Sequence, residues 1–159
     1  MRTILKLHRS LQTELPTMAH AEDFDIAKFV PSLHKEEWLA LNNRIFAHHP
    51  DQGNWAMADL ENRMNEAWFD SDGFYIAVAN RVMIGFCWVK IHHDLVNQDP
   101  VGEIYVMGVD PEAKQKGIGS ALGAVALDYM AKKHLGTAML YVDADNVAGL
   151  ALYKKLGFN

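Results

Sequence analysis

Residues Thr3 to Leu11 alternate apolar and polar, with Ile4 set against Leu5, Leu7 and Leu11, a pattern that suits a short strand. Residues 12–23 carry Pro16 and small polar residues without a period, and read as a linker. Phe24, Ile26 and Phe29 mark a first strand of the domain proper. From Glu36 to Ala47, Trp38, Leu39, Leu41, Ile45 and Phe46 fall at three- and four-residue spacings and predict a helix. The run from His48 to Gly53 breaks it, and a second helix is expected over Ala56 to Ala67. Asp70-Ser71-Asp72-Gly73 is turn chemistry. Phe74 to Ala79 and Val82 to Ile91 then read as a hairpin closed at Asn80-Arg81, followed by a loop and a third strand, Gly102 to Val109. A long apolar-periodic helix runs to about Lys133. Ala138 to Val142 is a buried strand, and Asn146 to Leu156 a last helix stopped by Gly157. This order argues for an α/β sandwich around a mixed sheet. Hairpin-linked central strands rule out a doubly wound topology.

Composition narrows the class. With 159 residues, half of them hydrophobic, the chain suits one domain with its own core. The formal charge of −5, from 15 basic against 20 acidic residues, disfavours sequence-independent binding to nucleic acid, which relies on neutralising phosphates. The single cysteine, Cys87, allows no internal disulfide and fits a reducing compartment. No apolar run approaches the roughly 20 residues of a membrane span, and the first residues are too charged for a signal peptide. The expectation is a cytoplasmic domain that binds neither membrane nor nucleic acid.

The chemistry starts at Lys114-Gln115-Lys116-Gly117-Ile118-Gly119-Ser120. Two glycines open a helix directly after a strand, where backbone N–H groups can converge on one anion and the helix terminus adds partial positive charge. The flanking lysines could reach further phosphates. The run is neither a P-loop nor Gly-x-Gly-x-x-Gly, since no Gly-Lys-Ser/Thr follows and Leu122 holds the third position after Gly119. A second motif follows: Asn146-x-x-Gly149-x-x-Leu152-Tyr153-x-x-Leu156-Gly157-Phe158.

Together the two motifs resemble the GCN5-related N-acetyltransferase (GNAT) superfamily, with Lys114 where Gln or Arg is usual and Gly149 where Ala is usual. The resemblance implies a mixed, mostly antiparallel sheet flanked by helices, with acetyl-CoA as co-substrate and no metal. It assigns CoA contacts to Met107, Val109, Lys114, Gln115, Lys116, Gly117, Ile118, Gly119, Ser120 and Asn146. Gly102-Glu103-Ile104-Tyr105-Val106, Leu140-Tyr141-Val142, Ala47-His48-His49-Pro50-Asp51-Gln52-Gly53 and Trp68-Phe69-Asp70 further resemble the catalytic second domain of the mycothiol synthase family. That family acetylates the cysteinyl amine of the glucosaminyl-inositol precursor of mycothiol. On this resemblance residues 24–159 are the transferase domain, residues 1–15 the closing strand of a preceding domain and residues 16–23 the linker. The superfamily's final strands would lie beyond Asn159. The strand over residues 3–11 is then expected to pair with the edge near Ala138 to Val142, in the same chain or by exchange in a dimer.

The resemblance makes Glu103 the catalytic base and Tyr153 the acid that protonates the leaving thiolate. It sets His48, His49, Trp68, Trp88, Lys90 and Tyr141 near the acceptor. Asn146 could cap the last helix, hold CoA, or do both. His48, His49, His92 and His93 form a poor metal set, because adjacent loop histidines make weak ligand geometry. Two other functions remain open at this stage: transfer to another amine, such as a protein N-terminus, and an acyl-CoA-binding module without turnover.

Overall fold

The computed structural model describes residues 2–17 and 23–159; most of the linker expected over 16–23 lies outside them. A six-stranded sheet has the order β1 (Ile4–Ser10), β6 (Thr137–Asp143), β5 (Val101–Val109), β4 (Val82–His92), β3 (Phe74–Ala79) and β2 (Asp25–Lys28). Every neighbouring pair is antiparallel except β5 and β6. One face carries α1 (Pro31–Ile45) and α2 (Met57–Met64), the other α3 (Ile118–Lys132) and α4 (Val147–Lys155). The helices expected to reach Ala47 and Ala67 stop earlier, at Ile45 and Met64.

Strand alternation sorts two cores. Phe74, Ile76, Phe86 and Trp88 point to the α1/α2 side, where they pack with Trp38 and Leu60. Ala77, Cys87 and Val89 point the other way, onto Leu122, Leu127 and Met130 of α3, and a bulge opposite Ala77 and Val78 turns Ile84 to that side as well. The Asn80-Arg81 turn has φ of 51° and 66° at its two residues, the left-handed pair that lets a two-residue turn follow the twist of a hairpin.

The N-terminal strand pairs within its own chain. It runs from Ile4 opposite Asp143 to Ser10 opposite Thr137, so the edge of β6 is covered. On its outer side His8 and Asn159 exchange two backbone hydrogen bonds of 2.9 Å. Arg9 is buried and donates to the carbonyl of Leu156 at 2.6 Å. Its cation thereby meets the negative end of α4, behind the left-handed turn at Gly157.

A second tie joins α1 to the end of β5. Arg44 donates two hydrogen bonds, of 2.9 and 3.0 Å, to Asp110, which also accepts the backbone N–H of Glu112. The guanidinium holds the Asp110 carboxyl below the usual carboxylate range, against the opposing effect of burial. A carboxyl whose pKa is lowered by folding stabilises the fold fully above its unfolded value of about 3.9, and the contribution disappears as pH falls through the folded value. Arg44→Met is therefore expected to melt below the parent at neutral pH, and the gap should close below about pH 4. Half-exposed Arg44 limits the effect to roughly 1 kcal/mol or less. Melting temperatures across pH 2.5 to 7 check this; a gap independent of pH would contradict it.

Candidate active site

β5 and β6 touch only at their beginnings, through Gly102 opposite Ala138 and Glu103 opposite Met139. Beyond that point they diverge, and the opening between them is a cleft of about 400 Å³. Asp110 donates its N–H to Ile84 on β4. Backbone direction alternates along a strand, so the N–H groups of Met107 and Val109 point the opposite way, into the splay. A bulge helps to shape this wall. Trp88 opposes Val106 and Val89 opposes Ile104, which leaves Tyr105 as the extra residue. Tyr105 and Val106 consequently both pack on the α1/α2 side.

The cleft passes through the sheet. Glu103 lines it from β5 and lies on the same face as its cross-strand partner Lys90. Tyr153 lines it from α4, packed against the core of the opposite face. Glu103 is 7% exposed, and its Oε1 lies 2.7 Å from Nε2 of His92. Burial pushes the Tyr153 phenol well above the usual tyrosine range, so it keeps its proton at neutral pH. Cys87, also raised by burial, is a core thiol without thiolate character.

The turn after β5 fits an anion. Gly117 stands at the N-cap of α3 with φ of 79°, and a Cβ there would meet nothing within 4 Å. No side chain caps this terminus. The first intrahelical bond runs from Ala121 to Gly117, which leaves the N–H groups of Ile118, Gly119 and Ser120 without helical acceptors. Lys114 and Lys116 are exposed beside them and Gln115 is half-buried. Gly119 has a different reason for its missing side chain: a Cβ there would come 2.9 Å from Cδ2 of Leu152. That glycine permits α3 to pack on α4, whereas the sequence reading gave it to the anion alone. Asn146 caps α4 by accepting the N–H of Gly149 at 2.9 Å, and also lines the cleft.

The residues expected near an acceptor divide three ways. His49 and Tyr141 line the cleft. Trp68 and Lys90 sit behind its wall: Lys90 Nζ lies 4.9 Å from the Trp68 ring centroid and 5.4 Å from that of Tyr105. Trp88 is corrected, and His48 lies to one side. Trp88 is fully buried among Phe74, Trp38 and Trp68 and supports the wall from inside; an aromatic in mid-strand packs into the core before it reaches a ligand. His48 is exposed and lines an adjoining hollow that shares Arg2, His49 and Asp143 with the cleft. His49 is committed to its loop, since its Nδ1 accepts the N–H groups of Asp51 and Gln52.

Residues that the sequence did not single out complete the site. Arg2 ties Asp51 to Asp143 at 2.7 and 2.6 Å, joining the loop after α1 to the end of β6. Arg63 lies over the Trp55 ring and donates to the Tyr105 hydroxyl at 3.0 Å. Asp51, Asp143 and Tyr105 are distant from them in sequence, and no local pattern marks these pairings. Among the described residues no three His, Cys, Asp or Glu side chains gather as metal ligands, and no helix is long and apolar enough to cross a membrane.

A parallel strand pair that splays apart, its strands joined through a glycine turn into a helix, is the frame of an acetyltransferase fold. The acetyltransferase (GNAT) family model matches residues 29–158, and the chain belongs to that family. Among its relatives, the mycothiol acetyltransferase of Acidothermus cellulolyticus is 41% identical over 99% of this chain and 51% of its own length. That of Renibacterium salmoninarum is 43% identical over 99% and 48%. The chain thus spans about half the length of the curated relatives it matches. A GCN5-related N-acetyltransferase from Sphaerobacter thermophilus shares the fold, with a TM-score of 0.82 at 20% identity, over 99% of this chain and 48% of that one. An aminoglycoside N-acetyltransferase solved in complex with CoA has a TM-score of 0.68 at 26% identity, over 92% of each chain.

Proposed function

We propose that this chain transfers an acetyl group from acetyl-CoA to a primary amine, and that the amine is the cysteinyl amine of the mycothiol precursor. The observation that carries the reading is the cleft through the sheet, with a buried carboxylate entering it from one face and a half-buried phenol from the other. In this reading the uncapped start of α3 holds the pyrophosphate. The N–H groups of Met107 and Val109 hold the pantetheine arm or polarise the thioester carbonyl. Glu103 accepts the amine proton, directly or through water, as the C–N bond forms and the C–S bond breaks. Tyr153 gives its proton to the departing thiolate.

The acceptor then comes from the α1/α2 side. There the cleft presents His49, Asp51, Gln52, Tyr141 and Asp143, a wall rich in hydrogen-bonding groups that suits a hydroxylated amine. The identity to mycothiol acetyltransferases supports the choice of acceptor. The buried, unpaired Cys87 accords with a cytoplasmic setting. A panel of amines tests the specificity, with CoA release followed chromatographically because the acceptor carries its own thiol. Desacetylmycothiol should exceed an aminoglycoside and a peptide N-terminus in kcat/KM by at least about 100-fold, the discrimination available to a site built on buried polar contacts. Equal rates on all three would remove the acceptor assignment.

A further inference from the structure

The carboxylate proposed as the base has a single side-chain hydrogen bond among the described residues, the one to His92. β4 and β5 pair with Lys90 opposite Glu103 and His92 opposite Val101. Lys90 and His92, two residues apart on β4, therefore face the same side as Glu103. The two histidine-side facts differ from those of the base: Glu103 lines the cleft, whereas His92 does not, and its side chain is 27% exposed against 10% for Glu103. The imidazole thus stands behind the carboxylate, between it and solvent.

We propose that His92 is the positioning residue for Glu103. An ionised carboxylate only accepts hydrogen bonds, so the 2.7 Å contact places a proton on Nε2. With Oε1 committed to that N–H, Oε2 is the oxygen left to take a proton in the cleft. His92 neither gains nor loses a proton in the step; it fixes the rotamer of the base. Without it, the cation facing Glu103 from the paired strand is Lys90, whose ammonium rests on the Trp68 and Tyr105 rings. A Glu103–Lys90 ion pair would draw the carboxylate away from the amine.

This inference rests on the reading of Glu103 as base, and the experiment separates the two. His92→Ala, His92→Gln, His92→Asn, Glu103→Gln and the His92→Ala/Glu103→Gln double variant are compared in the whole chain with acetyl-CoA and desacetylmycothiol, alongside their melting temperatures. His92→Ala should lose about tenfold or more in kcat, as for a lost hydrogen bond to a charged group, with KM for acetyl-CoA unchanged. Gln places an amide N–H where Nε2 stands and should recover most of the loss. Asn places its donor where Nδ1 stands and should not. In the Glu103→Gln background His92→Ala should cost little more, because the two act as one unit. Parental kcat in His92→Ala, failure of Gln to rescue a folded variant, or equal rescue by Asn would overturn the proposal. If Glu103→Gln is slow while His92→Ala is fast, only this proposal falls. If Glu103→Gln itself turns over normally, the reading on which it rests falls as well.

Discussion

Glu103→Gln is expected to lower turnover by roughly 100-fold or more while CoA affinity stays at the parental value. The size is that of losing a positioned general base. The substitution is nearly isosteric, and the new side chain can still meet the imidazole 2.7 Å away from Oε1, so packing around a residue only 7% exposed should survive. Glu103 belongs to the stretch where β5 and β6 are still paired, which keeps the strand in place whichever side chain it carries. Single-turnover kinetics and calorimetry with CoA measure the two quantities separately. A parental rate with a parental affinity would leave a cleft that binds CoA without using this carboxylate, and the acceptor proton would need another destination.

Gly117→Asp is expected to weaken CoA binding by at least about tenfold. Two like charges about 4 Å apart near a protein surface repel by roughly 4 kcal/mol before salt screening, and this position opens onto the uncapped N-terminus of α3 with nothing within 4 Å of a Cβ. Gly117→Ala is the control for adding a Cβ at φ of 79° without the charge, at a backbone cost no smaller than that of Asp. Gly119 is a poorer place for the test. A Cβ there would come 2.9 Å from Cδ2 of Leu152 and force that side chain to shift, so lost affinity would mix repacking with charge. If Gly117→Asp and Gly117→Ala bound CoA equally well, the pyrophosphate would not sit on this turn.

Elements set by local pattern were legible before the structure. Alternation located β3, β4 and β5 because each buries one face or both. Gly117 after β5 marked a helix start because positive φ has few other residues to serve it. The pairing of β1 with β6 followed from an edge that needed cover. The site was legible only as far as its motifs reached. Glu103, Tyr153, Met107 and Asn146 meet in one cleft, whereas Trp88 is fully buried and Trp68 packs half-buried beside it behind the wall. How deeply each tryptophan is buried depends on register and on what the helices cover. The extra residue at Tyr105 changes that register within β5. Arg2 escaped notice because its partner Asp143 lies 141 residues away, and His92 was weighed only as a metal ligand because its contact with Glu103 crosses between strands.

The central claim is that one cleft joins acetyl-CoA to an amine. Its most direct test is mass spectrometry of desacetylmycothiol after incubation with this chain and acetyl-CoA. The predicted result is the gain of a single acetyl group on nitrogen, with the cysteine thiol still open to alkylation and one CoA released per product. CoA bound at the α3 turn with no acetylated amine after extended incubation would contradict it.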